Sequence, residues 1–190
     1  MRGSIEKFEL ALAKDPTFAL AHVGIADAYN QLVAYSYAAP KVASPKSEQE
    51  LIRALELNPQ LSEAHASYGD VNLFFRWDWS GSEDAFKKAI LYNPNYPEAR
   101  RWYSHYLLIT GKHQEAHEQI DIGIELKSSS PIMYFGKAVI YLRNQEFDSA
   151  KELSKKIISV DPNYVLGLYT LALSEFCLGN ADEALKLANN

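Results

Sequence analysis

Ser82, Phe86, Ala89 and Pro94 stand at relative offsets 0, 4, 7 and 12. The sets Ser4/Phe8/Ala11/Pro16, Ser47/Leu51/Ala54/Pro59 and Ala150/Ser154/Ile157/Pro162 keep the same offsets. The first three members of each set share one face of a helix, because residues three and four apart are neighbours there. The proline ends that helix, since it lacks an N–H and its ring collides with the preceding turn. From Ser82 the pattern runs on through Tyr96 and a second amphipathic stretch holding Trp102, Tyr103 and Tyr106. It closes at Gly111 and restarts at Ala116, 34 residues after Ser82. A helix–turn–helix unit repeating at this period buries its apolar face against its neighbours, so the chain has no single central core.

The prolines also locate the irregularities. Pro94 and Pro162 lie 68 residues apart, two periods, and Ser128 stands where the proline between them is expected, with Pro131 following. From Pro59 to Pro94 is 35 residues, one more than the period, and from Pro16 to Pro59 is 43, nine more. The nine fall in Ser36–Pro45, where Pro40 and Pro45 predict a loop or broken helix, with Ser47–Leu57 resuming helical structure. One array is expected over residues 1–190: a half repeat over 1–16, then repeats at about 17–59, 60–94, 95–128, 129–162 and a truncated 163–190. A chain opening and stopping inside repeats is expected of a piece of a longer protein. Its uncapped ends, with Leu10, Leu185 and Leu187, are expected to favour self-association.

With 47% hydrophobic and 23% charged residues, the composition is that of a folded globular chain. A net charge of −5 argues against a phosphate-binding surface, so no nucleic-acid partner is expected for this segment. No run of 18 apolar residues is present, and no membrane partner is expected. Cys177 is alone, which excludes an internal disulfide and leaves the compartment open, the cytoplasm being the first expectation.

These residues resemble the tetratricopeptide repeat family over nearly the whole chain. Small residues recur at one helix-crossing slot: Ala26, Gly69, Ser104, Ala138 and Ala172. Asn72, Ser128 and Ile157 depart from the family's preferred tyrosine, proline and alanine. The long first repeat with Pro40, the motif Trp77-Asp78-Trp79, and Asn93–Tyr96 with Trp102-Tyr103 resemble a narrower group. Those are repeat arrays attached to DNA-binding or cyclase-like domains in bacterial signalling proteins. The broad resemblance implies an all-α fold, a right-handed superhelical solenoid of antiparallel helix pairs whose concave groove binds peptides or protein segments.

In such repeats the first helix of each pair lines the groove. The corresponding slots hold Leu20, Val23, Asp27, Asn30 and Gln31 in the first repeat and Glu63, Ala66, Asp70, Leu73 and Phe74 in the second. The third offers Glu98, Arg101, His105, Leu108 and Ile109; the fourth Ile132, Phe135, Val139, Leu142 and Arg143; the fifth Leu166, Tyr169, Leu173, Phe176 and Cys177. The N-terminal half is polar and acidic, and Asp27, Asp70 and Glu63 read as a solvated face rather than a basic-peptide site. The C-terminal half is apolar and aromatic. Phe135, Val139, Tyr169, Leu173 and Phe176 are expected to form a peptide-binding patch bordered by Arg101 and His105, unless further repeats cover it. The carboxylate clamp of chaperone-binding members needs lysine and asparagine where Val23, Asp27, Ala66 and Asp70 stand, so that ligand type is excluded.

Catalytic signals are weak. His113 and His117 have a zinc-compatible spacing but no third ligand fixed by the sequence, so a surface helix is the better reading. His105 beside Arg101 lacks a nucleophile or partner carboxylate. Trp77 and Trp79 read as a cap on the turn within a helix pair rather than a stacking site, and Cys177 as a packing residue. There is no phosphate-binding glycine loop, CxxC pair or GxSxG elbow; no cofactor, metal or catalytic residue is expected. The leading expectation is a non-catalytic scaffold binding a protein or peptide segment. The rivals are a regulatory or sensor array controlling an attached DNA-binding or cyclase domain, and an accessory segment that selects substrates for an enzyme.

Overall fold

A computed structural model of the chain describes residues 2–189. Among these residues there are eleven α-helices, one π-helix and no strand. The helices are α1 (Arg2–Lys14), α2 (Ala19–Ala34), α3 (Pro40–Leu57), α4 (Ser62–Val71), a π-helix (Asn72–Arg76), α5 (Trp79–Tyr92), α6 (Pro97–Ile109), α7 (His113–Leu126), α8 (Pro131–Arg143), α9 (Phe147–Val160), α10 (Val165–Cys177) and α11 (Ala181–Ala188). Short turns join them into antiparallel pairs, the helix-pair solenoid architecture.

From α5 onward the local structure repeats with the period of the sequence. α6, α8 and α10 begin at residues 97, 131 and 165 and each spans 13 residues. The backbone closures recur likewise. Trp77, Gly111, Gln145 and Gly179, successively 34 residues apart, all have positive φ. Glycine adopts that conformation freely, whereas a side chain as bulky as that of Trp77 is strained in it. Between pairs, the residue before each proline makes the turn. Asp15, Asn58, Asn93 and Asp161 each accept, through the side-chain oxygen Oδ1, the backbone N–H two residues on, at 2.9–3.2 Å.

The two irregular spacings resolve differently. The single extra residue enters the π-helix Asn72–Arg76 that prolongs α4, a turn type that commonly absorbs one insertion. Asp78 then caps α5 by accepting from the Gly81 N–H at 2.9 Å. The nine extra residues correct the expectation of a loop. α3 starts at Pro40 and continues through Pro45 as one 18-residue helix. Pro40 takes the first helical position, where its missing N–H costs nothing. Pro45 forfeits one helical bond, yet Ala43, Leu51 and Ala54 beyond and around it are at most 1% exposed and hold the helix. Trp77 and Trp79, expected to cap this turn against the next repeat, are 68% and 40% exposed, with ring centroids 6.2 Å apart.

The chain divides into two compact units, residues 1–102 and 103–190. In the first, α1 packs on α2, α2 on α3 and α4, and α4 on α5. Its core forms in steps: Ile5, Ile25, Ala28 and Leu32; then Ala26, Leu51 and Val71; then Ala66, Ala89 and Ala99. At the crossing slot of α4, what Gly69 makes room for is a side chain: a Cβ there would meet the Phe86 ring at 2.7 Å. In the second unit α7 packs on α8, α8 on α9 and α10, and α10 on α9 and α11. Leu107, Ile120, Met133, Ala138 and Ala150 are fully enclosed there. Ala150 is 0% exposed, so Ala150→Leu is expected to overpack α9 and lower unfolding stability by about 1–3 kcal/mol in urea titration. No helix among the described residues is long and apolar enough to cross a membrane.

Candidate functional site

In the second unit, residues of the expected groove lie at equivalent positions on α8 and α10, which are in contact. Phe135 and Val139 are four apart on α8. Tyr169, Leu173 and Phe176 follow the i, i+4, i+7 pattern on α10, so each set lies along one helix face. Phe135, Val139 and Leu173 are half-buried, whereas Tyr169 is 58% and Phe176 64% exposed. Tyr169 also lines an apolar cavity of about 460 Å³ with Val165, Leu168 and Leu187. His105 is half-buried on α6. His113 and His117 are tied by one side chain: His113 Nδ1 hydrogen-bonds Asn144 Oδ1, and Asn144 Nδ2 donates to His117 Nε2 at 3.1 Å. Among the described residues no group of three or more His, Cys, Asp or Glu side chains is arranged to hold a metal ion.

Arg101 belongs to a different setting, in the first unit. There α2, α4 and the start of α6 enclose a cavity of about 220 Å³ lined by Asp27, Asn30, Asp70, Tyr96, Arg101 and Trp102. The reading of Asp27 and Asp70 as a solvated face is corrected by this geometry. Ser67 Oγ donates to Asp27 Oδ1 at 2.6 Å. Asp70 is half-buried, but its Oδ1 is withdrawn from solvent and has no hydrogen-bond partner. Asn30 is 7% exposed, and its Oδ1 likewise has none. Desolvation raises the Asp27 carboxyl, with the Ser67 hydrogen bond pulling the other way. Asp70 is pushed up to about 7, first by burial and then by the Asp27 charge, with Arg101 opposing both. Tyr96 is raised in turn by burial and by Glu98, Asp27 and Glu63.

The aromatic wall is ordered. The Arg101 guanidinium carbon lies 3.9 Å from the centre of the Trp102 ring, and Phe74 meets Trp102 edge-on with centroids 6.5 Å apart. The slots holding Asp27, Asn30, Asp70 and Arg101 are legible in the repeat pattern. Tyr96 and Trp102 carry no signal at those slots, and enclosure by three helices is not a property of any one stretch.

No protein-family model and no curated protein matches the chain. Solved structures do. PilW, a widely conserved type IV pilus biogenesis factor, is 21% identical, with 99% of this chain and 83% of PilW covered at a TM-score of 0.73. A thermophilic tetratricopeptide repeat protein in Thermus thermophilus is 17% identical over 88% of each chain, at a TM-score of 0.73. YrrB, a tetratricopeptide repeat protein with an unusual peptide-binding site, is 17% identical over 97% of this chain and 90% of its own, at a TM-score of 0.55. At these identities the likeness establishes the fold, that of tetratricopeptide repeat proteins.

Proposed function

We propose that the chain is a non-catalytic interaction scaffold that holds a peptide or protein segment on the faces of its first helices. The observation that carries this reading is the apolar row on α10. Tyr169 and Phe176, 58% and 64% exposed, flank Leu173 on one helix face beside the equivalent Phe135 and Val139 of α8. Large apolar side chains left outside the core are suited to anchor an amphipathic helix or an extended segment. The peptide-binding site named for YrrB, a protein of the same fold, supports it. The proposed contact residues are Phe135, Val139, Tyr169, Leu173 and Phe176, with His105 in the same unit, and the ligand carries two or three apolar anchors.

A displayed peptide library panned against the full chain tests this. Recovered peptides should share apolar anchors. Phe135→Ala with Tyr169→Ala should weaken them at least tenfold, as expected when aromatic anchors carry most of the energy, with the melting temperature near that of the parent. Unchanged affinity in the double variant places the contact on another face.

A further inference from the structure

We propose that the cavity between α2, α4 and the start of α6 is a recognition pocket for one basic side chain, lysine or arginine, of a bound peptide. This rests on the scaffold reading for the existence of a peptide ligand, but involves residues of the other compact unit. Three observations converge on a cation. Asp27, Asp70 and Glu98 line the cavity against a single guanidinium, that of Arg101, so its lining is net negative. Asn30 Oδ1 and Asp70 Oδ1 are enclosed acceptors with no donor. Leaving such atoms unpaired is costly, and an ammonium or guanidinium supplies several N–H donors at once. Tyr96 adds aromatic surface against which a basic side chain's stem can rest, one face of the Trp102 ring being already taken by Arg101. The volume of about 220 Å³ lies below the ~300–1,000 Å³ of small-molecule sites, and suits one side chain.

A metal ion fits less well, because the Arg101 guanidinium shares the lining and no three carboxylates or imidazoles among the described residues are grouped to hold one. An anion is disfavoured by Asp27, Asp70 and Glu98. The enclosed Asn30 and Asp70 oxygens also account for selectivity. An apolar side chain of equal length has no donor for Asp70 Oδ1, and an Nε-acetylated lysine keeps one donor but loses the charge.

The test is a titration of the ¹⁵N-labelled full chain, followed by amide shifts. The probes are acetylated, amidated tripeptides Ala-Lys-Ala and Ala-Arg-Ala, the same peptide with norleucine or Nε-acetyl-lysine in the centre, and free butylammonium. Saturable shifts at Asp27, Asn30, Ser67 and Asp70 are expected for a basic tripeptide, with at least fivefold weaker binding of the neutral versions and of butylammonium. Asp27→Asn with Asp70→Asn should abolish them while the circular dichroism spectrum stays helical. Equal binding of the norleucine or acetyl-lysine peptide overturns the proposal without relying on any variant. Butylammonium binding as tightly as the tripeptides overturns the peptide assignment in favour of a free amine. Phe135→Ala with Tyr169→Ala should leave these shifts in place. Loss of library peptides in that variant, with no lysine or arginine shifts in the parent, therefore sinks the pocket and keeps the scaffold; the converse result sinks the apolar row alone.

Discussion

Asp70→Asn is expected to melt several degrees above the parent at pH 8 and together with it at pH 4. The Asp70 carboxyl is raised to about 7 in the folded chain, first by burial and then by Asp27, against about 3.9 in an unfolded one. Between those values the native state holds the proton that the unfolded state has released. Stability therefore falls as pH rises through this window, and the penalty is complete above the folded pKa. A displacement of about three units corresponds to as much as about 4 kcal/mol, at 1.36 kcal/mol per unit. Asparagine keeps the shape and removes the charge, so the gap should open between pH 4 and 7 and then hold. The charged and titratable groups acting on the site are Asp27 on α2, Tyr96 and Glu98 leading into and beginning α6, and Arg101 further along α6, with Glu63 acting on Tyr96. Asp27 is raised for the same first reason and moves in the same direction. Identical melting curves for parent and variant at both pH values would show that the carboxylate is solvated and the cavity open to water. A variant that gains stability yet loses basic peptides would exhibit the trade of stability for binding common at functional sites.

Phe86→Ala should cost about 3–5 kcal/mol, the largest loss expected from any single truncation in the first unit. The ring is 0% exposed, and its atoms lie 2.7–2.9 Å from where a Cβ on Gly69 would stand. Gly69→Ala alone forces that ring aside and should cost about 1–3 kcal/mol. The two sites are in contact, so their effects should not add. In a Phe86→Leu background, where the smaller side chain vacates ring positions, Gly69→Ala should be tolerated markedly better. Urea denaturation of the four proteins of this cycle measures the coupling. Purely additive free energies would mean that Gly69 is small for some reason other than the ring.

What local sequence dictates in this chain, and what it does not, follows from the range of each interaction. The ends of α5, α6, α9 and α10 were legible because their causes are local: proline, the Asn/Asp side chain before it, and the closures at Gly111 and Gly179. Small residues such as Ala89 and Ala150 were legible as buried because spacing alone puts them on the packing face. Pro40 and Pro45 misled, since local propensity argues for a break while burial of Ala43, Leu51 and Ala54 favours a continuous helix. The π-helix has no local signature, because one extra residue can enter a loop or a helix at similar local cost.

The apolar row on α8 and α10 was visible residue by residue, being a matter of position along single helices. The acidic slots were visible in the same way, but their enclosure was not. Asp27 and Asp70 lie 43 residues apart, and each alone is an exposed-looking acid on a helix face. Whether water or protein surrounds a carboxylate depends on which other helices pack around it. Period and spacing thus determined what the helices are and which faces they bury, while only the tertiary packing of α2, α4 and the start of α6 decided that the carboxylates of Asp27 and Asp70 are partly desolvated, since desolvation depends on every neighbouring element at once.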